Sequence, residues 1–364
     1  MSAHSPVGIY IHIPFCAKKC PYCDFYTRPY HKDTVSSYVD ALCRNIIALP
    51  ASLTADTVYF GGGTPSLLHG DAVLRILQCL HQRLCIPQEA EITLEANPCT
   101  MTPQALSQWK AAGINRLSVG VQSFVDAELT QLGRNHTAQK AIAAITNAAQ
   151  VGFDNLSLDL MLGTPLQTSD SLAKSIQTAL SLPITHLSAY LLKIEEGTPF
   201  GQSPPAIADA DTAADYYAQL SSAMHWAGFV HYEISNYAKP GYESRHNCKY
   251  WLCQPYIGLG AAAHSCYQGK RSYVPDDLQG FISSPLQAEY EESPVACDDE
   301  ERIMLGLRLS QGISLDDFPQ KKEQLLRKAA PLIPRYLTYH HGRLSLTEDG
   351  MLVSNAVIVH LLDA

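Results

Sequence analysis

Residues 10–25 read Tyr-Ile-His-Ile-Pro-Phe-Cys-Ala-Lys-Lys-Cys-Pro-Tyr-Cys-Asp-Phe and place three cysteines, Cys16, Cys20 and Cys23, directly after an apolar run. Their spacing is Cys-x3-Cys-x2-Cys, with an aromatic residue before the last cysteine. Three thiolates on one short loop can hold three irons of a 4Fe–4S cubane and leave the fourth iron open to another ligand. The loop therefore predicts an iron–sulfur cluster with one open coordination position.

Two simpler interpretations compete with the cluster: a zinc site, or chance proximity among the 11 cysteines of the chain. A structural zinc ion takes four protein ligands, commonly from a second Cys-x2-Cys or a His pair at comparable spacing. No such pair lies near Cys23 in the sequence. The loop thus favours the cluster over zinc.

The composition predicts a cytoplasmic protein with a large core. The chain has 364 residues, 46% of them hydrophobic, which suits one large domain and a smaller one. Its first eight residues lack the charged and apolar regions of a signal peptide. No run approaches the ~18 apolar residues of a membrane span, so any membrane association is expected to be transient. Cysteines in a chain without a leader are expected to be reduced.

The net charge of −9 argues against a nucleic-acid partner, because broad binding to nucleic acid needs a basic face. Small molecules and proteins stay open as partners. The sequence does not fix the oligomeric state, and a homodimer stays open as well.

Short strand-like runs alternate with longer amphipathic stretches up to Phe200. The strands are expected at Ile9–Ile13, Thr57–Phe60, Glu91–Glu95, Arg116–Val121, Asn155–Leu160 and His186–Leu191, and the helices at Val35–Ala48, Ala72–Leu84, Pro103–Ala112, Thr137–Val151 and Ser169–Ser181. Strand then helix, repeated in this way, is typical of an α/β protein with a parallel sheet or barrel. Polar residues lie near the carboxyl ends of the strands, where such barrels carry their sites.

After Phe200 the pattern changes, and two further units are expected. A Pro-, Ala- and Asp-rich segment separates a barrel (residues 1–210) from an extension (residues 211–296) that is dense in Tyr, Trp and His. Residues 297–364 show helices, a strand pair and a last helix, which predicts a mixed α+β, winged-helix-like module. From residue 298 onward, 8 Lys and Arg stand against 10 Asp and Glu, a net charge of −2. The module is therefore interpreted as structural or substrate-covering rather than DNA-binding.

Several predicted strand ends carry residues that suit a nucleoside with a carboxylate group. The turn Gly61–Ser66 is rich in glycine, which lets the backbone approach a ligand closely. Glu95 can accept hydrogen bonds from ribose hydroxyls, and Arg134 can pair with a carboxylate through two hydrogen bonds. Gln122 and Asp159 lie at further strand ends. Taken singly, such residues are more often caps or salt-bridge partners, but together beside the cysteine loop they favour a ligand site.

Seven runs in the chain together resemble the HemN/HemW group of radical S-adenosylmethionine (SAM) proteins: YIHIPFCAKKCPYCDF, GGGTPS, EANP, RLSVGVQSF, LGRNH, YEISNYAKPG and HNCKYW. Matching segments run from about Gly8 to Ser265, and weaker similarity continues over Glu301–Ile313. The resemblance implies a radical SAM partial (β/α)6 TIM-like barrel over residues 1–210, holding a 4Fe–4S cluster and SAM. In that superfamily, SAM is cleaved reductively to a 5′-deoxyadenosyl radical.

Two branches of this group are separated by the residues around the cysteine loop. Coproporphyrinogen III dehydrogenases carry a further Cys two residues after the third cluster Cys, where this chain has Phe25, and a longer N-terminal extension. The haem chaperones carry Cys-Asp-Phe and a His-Asn-x-x-Tyr-Trp motif, which stands here at residues 246–251. The resemblance therefore favours a haem chaperone, with the dehydrogenase or another radical SAM enzyme as the alternative. Dehydrogenase activity is not expected, while SAM cleavage stays open.

Carried over by motif position, the resemblance implies specific site residues. The cluster ligands would be Cys16, Cys20 and Cys23, and the SAM contacts would be Tyr10, Gly62, Gly63, Thr64, Glu95, Gln122, Arg134 and Asp159. Whether one or two SAM molecules bind stays open, because Phe25 replaces the cysteine of the dehydrogenases.

The resemblance also implies haem binding by His246, Tyr250 and Trp251 in the extension, with haem as cargo. Imidazole is a common axial ligand of haem iron, and the two aromatic rings could stack on a porphyrin. From the residues alone, an aromatic loop that only buries area at the barrel end explains the segment equally well. For a haem chaperone, the implied partners are haem-accepting proteins such as respiratory enzymes.

Overall fold

A computed structural model describes residues 5–290 and 295–363 and is built around one curved sheet. Six parallel strands form its centre in chain order: β1 (Val7–Ile13), β4 (Ala55–Gly62), β5 (Glu91–Ala96), β6 (Arg116–Gln122), β7 (Asn155–Leu162) and β8 (His186–Leu191). The loop after β1 holds a short ladder of β2 (Phe15–Cys16) with β3 (Arg28–Pro29). The predicted order of strands is confirmed, with ends displaced by at most two residues.

Helices connect these strands and cover the outer face of the sheet. They are α1 (Lys32–Ile47), α2 (Gly70–Arg83), α3 (Pro103–Ala112), α4 (Asp126–Gln131), α5 (Ala138–Gln150) and α6 (Ser169–Leu180), followed by α7 (Pro199–Gln202) and α8 (Ala210–Trp226). The hydroxyls of Thr102, Thr137 and Thr168 each accept a backbone N–H at a helix start, which fixes where α3, α5 and α6 begin.

The two faces of the central strands differ in chemistry because side chains alternate along a strand. In β1, Ile9, Ile11 and Ile13 are fully buried in the main hydrophobic core beneath the helices. Tyr10 and His12 have the opposite parity and lie on the concave inner face, where the Tyr10 hydroxyl is 3.0 Å from His12 Nδ1. The concave face therefore carries polar and aromatic groups that are available to a site.

Strands from the extension complete both edges of the same sheet. On one side, β11 (Tyr256–Leu259) pairs parallel to β1 and is followed by β12 (His264–Tyr267), β13 (Lys270–Tyr273) and β14 (Glu289–Tyr290); on the other, β10 (Asn236–Ala238) and β9 (Val230–Glu233) follow β8. Two helices, α9 (Arg245–Trp251) and α10 (Leu278–Ser283), lie in the same segment. The predicted division between barrel and extension at residue 210 stays a prediction. Strands from both sides of this position belong to one sheet.

The last part of the chain has a small core of its own. It contains α11 (Asp299–Gly306), β15 (Ile313–Ser314), α12 (Lys322–Ala329), β16 (Leu337–His340), β17 (Arg343–Leu346), α13 (Glu348–Leu352) and α14 (Ser354–Leu362), with β15, β17 and β16 in one antiparallel sheet. Ile303, Leu325 and Leu361 are among its buried residues. The predicted mixed α+β module is thus confirmed. Its last helix, expected to be continuous, is divided at Val353, whose backbone leaves the helical region.

Candidate functional site

A cavity of about 480 Å³ opens at the carboxyl ends of the central strands. Apart from Tyr10, all the residues predicted to bind the cluster or SAM line it: Cys16, Cys20, Cys23, Gly62, Gly63, Thr64, Glu95, Gln122, Arg134 and Asp159. They come from six different strands or loops, and they meet because the carboxyl ends of neighbouring parallel strands share one edge of the barrel. The structure therefore assembles the predicted residues into one site.

The cysteine loop lies across one side of this cavity. The Cys16 Sγ is 3.4 Å from the Thr64 hydroxyl, and Arg134 Nη1 donates to the Cys20 Sγ at 3.6 Å. Burial raises the pKa of the Cys16 and Cys23 thiols. All three cysteines are unpaired and only partly exposed.

Within the part of the chain that the structure describes, the three thiols of the cysteine loop do not form a site for a single metal ion. Among the described residues, no three Cys, His, Asp or Glu side chains converge closely enough to hold one metal ion. In a cubane each iron takes its own thiolate, so the three sulfurs stand apart around the cluster. Cys16, Cys20 and Cys23, which line one cavity, are therefore the residues that would hold a 4Fe–4S cluster.

Glu95 links two other predicted elements of the site. Its carboxylate accepts a hydrogen bond from the Tyr59 hydroxyl at 2.8 Å and another from the Gly62 backbone N–H at 3.2 Å. Gly62 has a φ of +111°, and a Cβ there would lie 2.5 Å from the His12 ring. Only glycine meets both constraints, so the turn brings its backbone to the cavity.

Ionisable groups of both signs line the cavity. Burial raises the pKa of Glu95 to about 7 and that of Asp159 to about 6. Arg116 is 1% exposed, and its Nε and that of Arg134 are buried without a hydrogen-bond partner among the described residues. Two carboxylates and two guanidinium groups suit a ligand that also carries both signs. SAM is such a ligand, with a carboxylate, an ammonium group and a sulfonium.

The remaining predicted contacts are held by neighbouring strands. Gln122 has a φ of 74°, and its side-chain oxygen accepts a hydrogen bond from the Tyr190 hydroxyl at 2.8 Å. Arg134 Nη2 donates to the Gly120 carbonyl. The Ser118 hydroxyl lies 3.4 Å from an Asp159 oxygen. These contacts fix the orientation of the groups that face the cavity.

Tyr10 lies apart from the other predicted SAM contacts. It lines a second cavity of about 670 Å³, with His12, Tyr26, Tyr250 and other residues. Phe25, whose exposed fraction is 64%, lines both cavities. Tyr10 therefore lines the second cavity and not the first.

We expect SAM to bind about tenfold more tightly at pH 8 than at pH 6, because Glu95, with a pKa of about 7, must lose its proton to meet a cationic ligand. The raised pKa means that the carboxyl group is mostly protonated at pH 6 and ionised at pH 8. Anaerobic calorimetry on the reconstituted protein measures this. Glu95→Gln should bind more weakly and lose most of the pH dependence; an unchanged pH profile in that variant would assign the titration to another group.

Helix α9 carries the predicted haem residues and closes the amino end of the barrel. The Glu91 carboxylate, at the start of β5, accepts the backbone N–H groups of Arg245 and His246, both at 3.0 Å. Lys249 pairs with Asp56 at 2.8 Å, with only 4% of the lysine side chain exposed. Asn247 lines the first cavity, together with the cysteine loop. The helix is thus held on the inner side of the sheet.

The three predicted haem residues occupy different surroundings. His246 is fully buried; its Nδ1 is 2.8 Å from the Thr57 hydroxyl and its Nε2 is 2.9 Å from the Tyr250 hydroxyl. Burial lowers the pKa of His246 to about 3, so its ring is neutral. The ring of Trp251 instead lies against the Arg308 guanidinium at 4.2 Å, at the C-terminal module. The structure brings His246 and Tyr250 together and leaves Trp251 on another side of the helix.

Sequence reasoning missed several residues that line the first cavity. Tyr59, Arg116, Ser118, Ser188 and Tyr190 all lie there. Each is on a predicted strand and has the parity of the concave face. A polar residue at every second position of a strand in an otherwise apolar barrel was the signal that could have identified them.

Comparison with known protein families places two regions of the chain. Residues 10–179 match the radical SAM superfamily, and residues 300–353 match the HemN C-terminal domain. The first match covers the cysteine loop and the strands up to α6, and the second covers most of the C-terminal module.

Curated relatives match over most of the chain. The protein described as heme chaperone HemW from Mycobacterium tuberculosis strain H37Rv is 35% identical, over 98% of this chain and 95% of its own. The protein of the same name from Bacillus subtilis is 34% identical, over 96% of this chain and 97% of its own. Among solved structures, the coproporphyrinogen III oxidase HemN from Escherichia coli has a TM-score of 0.84 over 98% of this chain and 90% of that one. At 20% sequence identity this last likeness shows the fold alone.

Proposed function

The chain belongs to the HemW family within the radical SAM superfamily, and from that membership we propose that it binds haem as cargo and delivers it to acceptor proteins. The observation that carries the proposal is the match to relatives described as haem chaperones over almost the whole chain. The acceptors would be haem proteins such as respiratory enzymes, and the place of action would be the cytoplasm. In the described residues, no helix combines the length and hydropathy needed to cross a bilayer.

The proposed cofactors are a 4Fe–4S cluster on Cys16, Cys20 and Cys23, and SAM in the cavity beside it. When bound, the cluster supplies the electron that radical SAM proteins use to cleave SAM. The Nε atoms of Arg134 and Arg116, which have no hydrogen-bond partner among the described residues, would donate hydrogen bonds to the carboxylate of SAM. Glu95 and Asp159 would accept hydrogen bonds from its hydroxyl and ammonium groups.

The proposed haem residues are His246, Tyr250 and Trp251 on α9. A neutral imidazole can donate a nitrogen lone pair to iron, and the lowered pKa keeps His246 in that form. Both ring nitrogens are engaged by hydroxyl groups, so coordination requires one of these contacts to open. The Nε2 contact with Tyr250 is the nearer to solvent, because Tyr250 lines the second cavity.

The second candidate function is coproporphyrinogen III oxidation, which the fold alone would permit. Phe25 argues against it, because the dehydrogenase branch carries a cysteine at that position. In the structure Phe25 is an exposed apolar ring between the two cavities. A parallel assay of coproporphyrinogen turnover on the reconstituted protein distinguishes the two functions.

His246→Ala is expected to weaken haem binding at least about tenfold and to shift the Soret band, because an axial nitrogen donor is lost. Trp251→Ala should lower affinity with a smaller spectral change, since it removes contact area and no ligand. Haem titration of the purified protein, followed by absorbance, measures both.

His186→Ala is the matched control. His186 is also buried on the concave face, with Nδ1 2.7 Å from the Ser157 hydroxyl and Nε2 2.8 Å from the Tyr232 hydroxyl. It should destabilise the fold to a similar extent and leave the Soret band in place. Cys248, Cys253 and His264 lie close to His246 in sequence and could substitute as ligands. A variant that lacks all four residues and still binds haem like the unaltered protein would place the haem site elsewhere.

A further inference from the structure

Three thiols meet where the extension contacts the C-terminal module. The Cys266 Sγ lies 3.6 Å from the Cys297 Sγ, and Cys297 also forms a side-chain hydrogen bond with Cys253. We call Cys253, Cys266 and Cys297 the thiol triad, with Cys297 at its centre. None of the three belongs to the cysteine loop, and the cavity that the loop lines excludes them.

The backbone around each member fixes the position of the triad. Cys253 follows α9 in a turn with a φ of 51°, and Cys297 precedes α11 with a φ of 61°. The Cys297 N–H donates to Glu301 at 2.7 Å, and Glu301 also pairs with Arg271 on β13. The segment before α11 is thereby held against the β12–β13 hairpin, which carries Cys266.

The three thiols differ in acidity. The hydrogen bond with Cys297 lowers the pKa of Cys253, whereas the contact with Cys297 and burial raise the pKa of Cys266. The pKa of Cys297 rises to about 11. Cys253 is therefore the member that forms a nucleophilic thiolate most readily, and it has a protonated thiol beside it. Cys253 and Cys297 are partly exposed, while Cys266 is buried.

We propose that the thiol triad is a disulfide-forming site that responds to low-molecular-weight disulfides such as oxidised glutathione. The Cys253 thiolate attacks one sulfur of the oxidant, forms a mixed disulfide and releases one glutathione thiolate. Cys297, after losing its proton to solvent, attacks the Cys253 sulfur and releases the second glutathione. The two protein thiols are oxidised and one glutathione disulfide is reduced to two thiols. Cys266 can then exchange with Cys253 for the bond to Cys297.

The geometry favours the bond between Cys266 and Cys297 in particular. A disulfide needs the sulfurs at about 2.05 Å, so the 3.6 Å between Cys266 and Cys297 closes with a small side-chain movement. A disulfide from Cys297 to either Cys253 or Cys266 would join the start of α11 to the extension. Cys253 lies two residues after Trp251, the last residue of α9. Disulfides in a reducing compartment are mostly transient and redox-sensing, which matches the partial exposure of Cys253 and Cys297.

The test uses the full chain, reconstituted with its cluster and incubated without oxygen in glutathione buffers of increasing oxidising strength. After acid quenching and alkylation, chymotrypsin separates Cys253 from Cys266 by cutting at Tyr256, and mass spectrometry identifies the joined peptides. We expect Cys297 joined to Cys253 or Cys266 in buffers at least about tenfold more reducing than those that modify the exposed Cys85. Recovery of Cys253 and Cys297 only as separate glutathione adducts would overturn the proposal.

Variants separate the roles of the three thiols. Cys297→Ser should abolish every cross-link to that position, and Cys253→Ser should leave, within the triad, only the bond between Cys266 and Cys297 and form it more slowly. Cys85→Ser is the control and should change nothing at the triad. Because the cross-link is mapped on the unaltered chain first, a variant that fails to fold does not prevent a decision. A cross-link between Cys253 and Cys266 that forms as readily in Cys297→Ser at the same buffer strength would also contradict the proposal.

Discussion

Protein in which Cys16, Cys20 and Cys23 are all replaced by Ser is expected to hold less than about one tenth of the iron and sulfide of the unaltered protein after anaerobic reconstitution. Each single replacement should remove most of the cluster, since three protein ligands are already the minimum for a cubane with an open iron. The partly exposed thiols line a cavity with no other cysteine except Cys99. Iron and sulfide analysis with absorbance near 400 nm measures the loss.

The thiol triad supplies a matched control for that experiment. Replacing Cys253, Cys266 and Cys297 by Ser removes the same number of thiols from another clustered site and should leave the iron content unchanged. If the Cys16/Cys20/Cys23 variant reconstitutes fully, or if both triple variants lose iron equally, the cysteine loop does not hold the cluster.

Gly62→Ala is expected to weaken SAM binding at least about 100-fold. The new Cβ would lie 2.5 Å from the His12 ring, in a backbone conformation with a φ of +111°. The ring cannot move freely, because its nitrogens are 3.0 Å from the Tyr10 hydroxyl and 3.3 Å from the Tyr26 carbonyl. The backbone N–H that Glu95 accepts would therefore be displaced. Anaerobic calorimetry with SAM measures the change.

Gly113 offers a control that separates backbone strain from steric conflict. It has a φ of +110° at the end of α3, and a Cβ there meets nothing within 4 Å. Gly113→Ala should cost about 1 kcal/mol in the free energy of unfolding and leave SAM affinity unaltered. Equal losses of SAM affinity in the two variants would mean that strain alone, and not the contact with His12, accounts for the effect.

The sequence predicted most of the central fold because strand and helix periods are local signals. The apolar odd positions of β1 and the threonine caps of α3, α5 and α6 are legible within a few residues. The residues proposed for the cluster and SAM were implied by the family resemblance, and all of them except Tyr10 line one cavity because motifs at strand ends fall on the same edge once the strands are parallel. No distance between distant segments had to be known.

The parts that could not be predicted depend on long-range contacts. His246 meets Thr57 across 189 positions, and nothing local to α9 signals that it fills the barrel. The edge strands β9 to β13 are three or four residues long, too short for a clear alternation. Cys266 and Cys297 are 31 positions apart in the sequence. They meet because the segment before α11 is held against the hairpin of β12 and β13.

The engaged ring of His246 has a kinetic consequence if it is the haem ligand proposed above. A nitrogen that is hydrogen-bonded in the resting protein can coordinate iron only in the fraction of molecules in which its hydrogen bond to Tyr250 or Thr57 is broken. The breaking of this hydrogen bond would then limit haem binding. The rate of haem uptake would therefore reach a plateau at high haem concentration, equal to the rate at which the hydrogen bond opens. Haem release would depend on the same equilibrium, because re-forming the hydrogen bond displaces the iron from His246. A partner protein that displaces α9 could therefore change the rate of haem transfer without contacting the iron.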